Sequence, residues 1–549
     1  MSSRSVFLVF LGLAVLWTWP AAWSSGIPGR WPDALGTVWF IDASPRLWPD
    51  LTDSLTGWPA GAHYGRPDSF VLLVLSTVFA FLPPVAIYSL VSVVGTAASA
   101  WAAERLAVEL GAEAPWSLVA GVGFALCGLS STALIEGYPY LVLNPWMPWM
   151  VVHALRCTRP AATPQDGVLT GIFFTLTLLS SAWLALSAAL LLLGLTPLLV
   201  DRRAKRPALP AALAAATVLG AGLIYVALFV AAGDGVRQTD GNTAAVLSQL
   251  RLSLVQLAGP GLGVDVRWHS QTHSISATVL ALAVLAPAVL RRGRTWKALL
   301  GVGLVSLLLS ISPRISPSAF PGAGPLGQIL ASTVLRFPAR LGWAWALCAG
   351  VVGALAATQL GRRSPKTARV IFVFVLIDAF VIMRQPLRQG EHLATVPSAY
   401  GAHRGPVLDI FPDDAQGSPA WLLWTTNLAC HHQTVHHRAI AEHCLFTSDA
   451  ESPRVLLQRV VVDRALARDA SETMALLGSL GFGSVVVHLD AFSETDRTAL
   501  LAGLTAAAGP PVRSQDGGED IAAFSVLTNS TPPNPAGAWA SWRAGTTGP

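Results

Sequence analysis

GVLTGIFFTLTLLSSAWLALSAALLLLGLTPLLV, residues 167–200, decides how this chain is threaded. A bilayer crossing needs about 20 apolar residues as helix. The stretch therefore reads either as one long tilted helix or as two short ones, and the choice changes the side on which everything after it lies. Working outward, apolar stretches near 6–22, 84–103, 115–134 and 142–155 precede it, and others near 208–231, 274–290, 297–312, 341–358 and 368–384 follow. With 167–181 and 183–200 taken as separate helices, the total is about eleven. With Arg4 inside, that count gathers Arg105, Arg156, Arg159, DRRAKR (201–206), RRGRTWK (291–297) and RRSPKTAR (362–369) on the cytoplasmic side, as the positive-inside rule requires. A single helix over 167–200 would throw the last three clusters outward. We therefore read two helices, and with them an α-helical polytopic membrane protein.

Composition agrees. The chain has 549 residues, 53% of them hydrophobic and only 12% charged, with mean hydropathy +0.53. Soluble domains carry roughly a quarter of their residues as charged types. The net charge of +5 is accounted for by arginines in the inner loops, so no nucleic-acid partner is implied. SVFLVFLGLAVLWTWPAAWSS has the features of a signal peptide, but a polytopic domain follows, and it is read as an uncleaved anchor. The expected location is a bacterial cytoplasmic (inner) membrane, crossed many times, with the N-terminus cytoplasmic.

Three polar regions then lie outside: about 23–83, about 232–273 and everything after about 385. In the first, ALGTVWFIDASPRLW follows Pro32 and Asp33 and reads as an interfacial helix with tryptophan at headgroup level, ended or kinked by Pro45. Residues 69–82 are apolar but too short to span, which suggests a second juxtamembrane or re-entrant helix stopped by Pro83 and Pro84. The loop concentrates acids at Asp33, Asp42, Asp50, Asp53 and Asp68. Carboxylates held at a membrane surface suit general-base or metal-assisted chemistry on a lipid headgroup. The same residues also suit helix caps and turns, Asp33 ahead of a helix and Asp50 and Asp53 in PDLTDS.

After about residue 385 the pattern changes. GPVLDIF, SVVVHL and IAAFSVL are strand-like runs, while RVLLQRVVVDRALARDASETMALLGSL and TDRTALLAGLTAAA have helical spacing. We read a transmembrane domain over 1–385, a small extracytoplasmic α/β domain over 386–528 and a disordered tail over 529–549, rich in Pro, Gly and Thr. No GxxxxGK[ST], GxGxxG after a strand, HExxH or CxxC is present, so a soluble nucleotide-dependent enzyme is unsupported.

Several stretches together resemble the GT-C class of polytopic glycosyltransferases, which use polyprenyl-phosphate sugars. They are WPDALGTVWFIDA (31–43), WPAGAHYGRPDSF (58–70), LPPVAIYSLVSVVGTAASAWAAERL (82–106), ALIEGYPYLVLNPWMPWMV (133–151), LRFPARLGWAWAL (335–347), QTVHHRAIAEH (433–443) and LGFGSVVVHLDAF (480–492). The resemblance implies transfer of a sugar from a polyprenyl-phosphate donor to a glycan, lipid or protein acceptor of the cell envelope, among membrane lipids. By position it makes Asp33 the catalytic acid or base and Asp68 its second acid. Arg336 and Arg340 would face the leaving phosphate, since guanidinium matches phosphate oxygens bidentately. Glu136, Tyr138, Tyr140 and His63 would line the substrate site, and Arg267, His269 and His273 could approach it from the third outer loop. The loop has no tight Asp-x-Asp or Glu-x-Asp pair. Asp42, Asp50 and Asp53 are secondary acids, with Asp50 and Asp53 the nearest substitute for such a pair, so a divalent metal, Mg or Mn, stays an open cofactor. The competing reading is a non-catalytic envelope-assembly protein or a transporter.

CHHQTVHHRAIAEHC (430–444) sets five of the twelve histidines between two of the five cysteines. Outside the cytoplasm Cys430 and Cys444 can oxidise to a disulfide, which would remove both as thiolate ligands. A zinc site built from this stretch alone would need four converging ligands. Adjacent His-His pairs on a strand point to opposite faces. The resemblance instead attaches interest to a histidine after QTV, here His436 or His437.

Overall fold

A computed structural model describes residues 2–19, 27–28, 33–48, 51–64, 69–159, 161–199, 208–225, 276–290, 293–311, 341–384, 391–392, 395–412, 419–442, 444, 453–516, 518–527 and 534–546. Helices stand at every apolar stretch named above. The deciding one is two helices, Pro164–Ser180 and Ala182–Leu199, broken at Ser181, whose backbone is extended (φ −169°, ψ 134°). The two pack against each other. Among the described residues, Pro84–Glu109, Leu118–Ile135 and Gly342–Arg363 are long and apolar enough to cross a membrane; Ser3–Thr18, Ala182–Leu195, Leu213–Gly222 and Ala277–Val289 are apolar but shorter.

The helix Gly342–Arg363 is the centre of the bundle, packed against Pro84–Glu109, Leu118–Ala125, Ala277–Val289 and Arg294–Ile311. Small residues permit this closeness: a Cβ on Gly350 would lie 3.0 Å from the carbonyl oxygen of Ala120. At one end of the bundle, Glu109 pairs with both Arg156 and Arg159 at 2.7 Å, and Arg362 pairs with Glu113. Arg156, Arg159 and Arg362, three of the arginines that charge placement assigned to one side, thus all pair with acids at or just beyond the end of the helix Pro84–Glu109.

The C-terminal region holds a four-stranded sheet. Val407–Ile410 runs parallel to Ser484–His488, which pairs antiparallel with Ile521–Ser525, which in turn pairs antiparallel with Val512–Ser514. Every residue of the two central strands is apolar, small or buried, as a sheet covered on both faces requires. The helices Pro453–Leu466, Ser471–Ser479 and Glu494–Ala508 supply Leu457, Val461, Leu477, Leu500 and Leu504 to one core face. On the other side Val407, Val486, Ile521 and Ala523 share a core with Cys430 of the helix Pro419–His436, which carries the first half of the histidine-rich stretch.

Three expectations are corrected. Trp39 does not lie at headgroup level: it is fully buried, because the first-loop helix, Asp33–Leu47, is wedged between the bundle and the helix Pro419–His436. Pro45 does not end it, since a proline within the last turn leaves most of the preceding ladder intact. Residues 535–546, expected to be disordered, form a helix that buries Trp539 against the core of the sheet domain, so one aromatic anchor outweighs the composition around it.

Cys430 and Cys444 are joined, with Cα atoms 5.8 Å apart, and Cys127, Cys157 and Cys348 are free and buried. The bridge ties the end of the helix Pro419–His436 to the segment that returns to the sheet. Replacing both cysteines by serine is expected to cost about 3 kcal/mol, the loop-entropy value for a ring of about 15 residues. A lowered urea midpoint of the C-terminal region checks this.

Candidate active site

Asp33 is the first residue of the first-loop helix, where a carboxylate favours the exposed backbone N–H groups. Two other parts of the chain reach it. Tyr138 donates its hydroxyl to Asp33 Oδ2, and Asn427 Nδ2 donates to Asp33 Oδ1 at 3.3 Å. Tyr138 follows the tight turn after the helix Gly128–Ile135, and Asn427 belongs to the helix Pro419–His436. Three remote segments therefore meet on one half-buried carboxylate.

Gly137 makes this meeting sterically feasible. It lies in the left-handed region (φ +89°), and a Cβ there would sit 2.2 Å from the backbone nitrogen of Ala34. Its carbonyl accepts the Thr37 hydroxyl at 2.7 Å, fastening the turn to the first-loop helix. Gly137→Ala is expected to destabilise the protein by more than the ~1–2 kcal/mol that left-handed backbone costs an L residue, since the obstructing atoms are backbone. A thermal melt of the purified variant reads it.

Six residues beyond Asn427, Gln433 locks the same two helices together. Its Oε1 accepts from Trp39 Nε1 at 2.6 Å and from Arg46 Nη2 at 3.2 Å, and its Nε2 donates to the carbonyls of Leu55 (2.6 Å) and Arg438 (3.1 Å). The backbone of the loop joins in: Gly57 and Trp58 N–H groups donate to the carbonyls of Glu442 and Ile440, and Ile440 N–H to that of Leu55. The first loop and the C-terminal region are thus one hydrogen-bonded unit around Asp33.

The other sequence candidates fall variously. Glu136 is buried beside Gly137, and Tyr140 stands 5.9 Å from the Tyr138 ring. Asp42 and Asp53 both bind Arg46, at 3.0 and 3.2 Å, so each is committed to a structural ion pair. His63 pairs through its backbone with Thr52 in a two-residue ladder. Asp50, Asp68, Arg267, His269, His273, Arg336 and Arg340 lie outside the described residues. Among the described residues, the group that could hold a metal ion is His432, His488 and Glu519 in the C-terminal domain. There, burial works against an ionised Glu519, but hydrogen bonds from His432 and His488 outweigh it and hold the carboxyl far below its ordinary value. Burial likewise opposes a charged His488, while Asp409 and Glu519 together raise it to about 9.

Asn427, Gln433, His488 and Glu519 were not singled out from the sequence. Only QTV and SVVVHL pointed near them, and neither motif says which distant residue it will face.

No family model and no curated protein matches the chain. Among solved structures, arabinofuranosyltransferase AftD from Mycobacteria is similar over 96% of this chain, with a TM-score of 0.58 and 14% identity. The Archaeoglobus fulgidus oligosaccharyltransferase, tethered to an acceptor peptide containing the NVT sequon, is similar over 92% with a TM-score of 0.54 and 12% identity. Both are GT-C class membrane glycosyltransferases. The chain has the GT-C fold. It spans 40% of the length of AftD and 71% of that of the oligosaccharyltransferase.

Proposed function

We propose that the protein is a membrane glycosyltransferase that moves a sugar from a polyprenyl-phosphate donor to a cell-envelope acceptor at the outer face of a bacterial cytoplasmic membrane, with about eleven crossings, the N-terminus inside and the C-terminal domain outside. The observation that carries the reading is the Asp33 carboxylate at the start of the first-loop helix, oriented by Tyr138 and Asn427 in a chain of GT-C fold.

In this reading Asp33 accepts the proton of an acceptor hydroxyl as its oxygen bonds to the anomeric carbon and the bond from that carbon to the polyprenyl phosphate oxygen breaks. Tyr138 and Asn427 fix the carboxylate, so its orientation costs nothing when the substrate arrives. The departing phosphate gathers negative charge, and Arg336 and Arg340 are the proposed cations beside it. Asp68 is the proposed second acid, and Glu136 and His63 are proposed to contact substrate. The ion pairs of Asp42 and Asp53 with Arg46 support a structural role for these acids and argue against a Mg or Mn cage built from them.

The test is transfer of radiolabelled sugar from a panel of polyprenyl-phosphate sugars by the purified protein in nanodiscs. Donor consumption with product formation or donor hydrolysis is expected. An intact protein that neither consumes nor binds any donor would favour the envelope-assembly or transporter reading.

A further inference from the structure

At the helix Pro419–His436, three side chains from separate segments converge. His432 comes from that helix, His488 from the end of the strand Ser484–His488, and Glu519 from the loop ahead of the strand Ile521–Ser525. His432 Nε2 lies 2.9 Å from Glu519 Oε1, and His488 Nδ1 lies 2.8 Å from Glu519 Oε2, so that the ligand atoms all stand within 4.8 Å of one another. The two imidazoles are stacked 5.8 Å apart and nearly parallel, at 7°.

The outer nitrogens are also committed. His488 Nε2 is 3.2 Å from Asp409 Oδ1, and His432 Nδ1 is 3.0 Å from the Tyr400 hydroxyl, which itself donates to Asp409 Oδ1. Asp409 is fully buried, and Phe411 stacks on the far face of His488 at 3.9 Å. Each ring thus presents one nitrogen to a common point while a buried acceptor fixes the other. This is how metal-binding histidines are held: the second nitrogen donates to a carboxylate or hydroxyl, which sets the tautomer and the ring plane.

We propose that His432, His488 and Glu519 form a binding site for a divalent transition metal, zinc by the chemistry of its ligands, which clamps the helix Pro419–His436 to the sheet. Two imidazole nitrogens and one carboxylate suit Zn²⁺ and its first-row neighbours, whereas Mg²⁺ and Ca²⁺ take oxygen. Glu519 is 19% exposed, so the site reaches solvent and a water can supply the fourth ligand. The histidine-rich stretch contributes one ligand, and the remaining two come from elsewhere in the fold. The site is independent of the glycosyltransferase reading, and its test needs no turnover.

The experiment uses the full chain in detergent, loaded with ZnCl₂, dialysed against metal-free buffer and analysed for metal by mass spectrometry, with a thermal melt before and after EDTA. Equimolar zinc and a lowered melting temperature after chelation are expected, and Co²⁺ in place of zinc should give the visible bands of a four- or five-coordinate site. His488→Gln and Glu519→Gln should each lose the zinc. Asp409→Asn keeps all three ligands and should weaken binding by about 10–100-fold, the usual loss when such a supporting group is removed. Wild-type protein that retains no zinc and melts identically after EDTA would overturn the proposal, whatever the folding of the variants. Zinc retained undiminished in folded His488→Gln would overturn it equally, since the metal would then lie elsewhere.

Discussion

Asp33→Asn is expected to lower sugar transfer by about 10²–10⁴-fold, the usual contribution of a positioned general base, with little change in melting temperature. Asparagine has nearly the shape of aspartate, and its side-chain oxygen can still accept the Tyr138 hydroxyl. The hydrogen bond from Asn427 is given up, because the new amide nitrogen faces the Asn427 Nδ2 donor, but the other contacts that join the first-loop helix, the turn at Gly137 and the helix Pro419–His436 remain, among them Thr37 to Gly137 and Trp39 to Gln433. The larger loss is the capacity to take up a proton from the acceptor. The nanodisc assay reads the rate, and the melt of the same preparation shows that the fold is kept. An unchanged rate would remove Asp33 as the base and with it the observation on which the functional reading stands.

The largest stability effect is expected from Arg454→Ala. Arg454 and Glu442 are 2% and 1% exposed, with Nε and Oε1 2.6 Å apart. The guanidinium also donates to Thr425 at 2.8 Å and Thr426 at 3.2 Å, and stands 5.1 Å over the Phe411 ring. Removing it strands a buried carboxylate and unties the helix Pro453–Leu466 from the helix Pro419–His436. Breaking such a pair costs about 3–5 kcal/mol, because the remaining charge has lost its partner and cannot reach water. The urea midpoint of the C-terminal region, followed by proteolysis of the intact protein, reads the loss. Adding Glu442→Gln should recover part of it, since the double change leaves no buried charge. A loss within the ~0.5 kcal/mol of an ordinary surface substitution would mean that the pair is solvated in solution.

The contacts around Asp33 join residues 105 and 394 positions apart, and those around Arg454 join neighbouring elements, which marks what a sequence can and cannot record. β-branched runs are local properties, so GPVLDIF, SVVVHL and IAAFSVL could be read as strands, whereas hydropathy left 167–200 open and the placement of arginine clusters along the whole chain divided it near Ser181. Asp33 was singled out differently, by the position that the resemblance to GT-C enzymes gives to a catalytic acid after the first helix. Tryptophan, by contrast, looks the same in sequence whether it lies in a headgroup belt or in a core. Trp39 proved buried because a helix from the C-terminal domain covers it, and hydropathy carries no record of that partner.

The histidine-rich stretch shows the same division. Its helix ends at His436, with His437 in the left-handed region (φ 51°), so neighbouring histidines diverge around a helix where a strand would have alternated them. Among the described residues of that stretch, His432 alone enters the cluster with His488 and Glu519.

By itself, then, the sequence determined the apolar helices, the strands of the C-terminal region and Cys430 and Cys444 as two cysteines able to pair, and its resemblance to GT-C enzymes pointed to Asp33. Only the tertiary structure decided that Tyr138 and Asn427 converge on Asp33, that Arg46 occupies Asp42 and Asp53, and that His432 meets His488 and Glu519. The reason is physical: secondary structure follows from the chemistry of adjacent residues, whereas a site is set by side chains up to 394 positions apart, and their meeting depends on how whole helices and sheets pack.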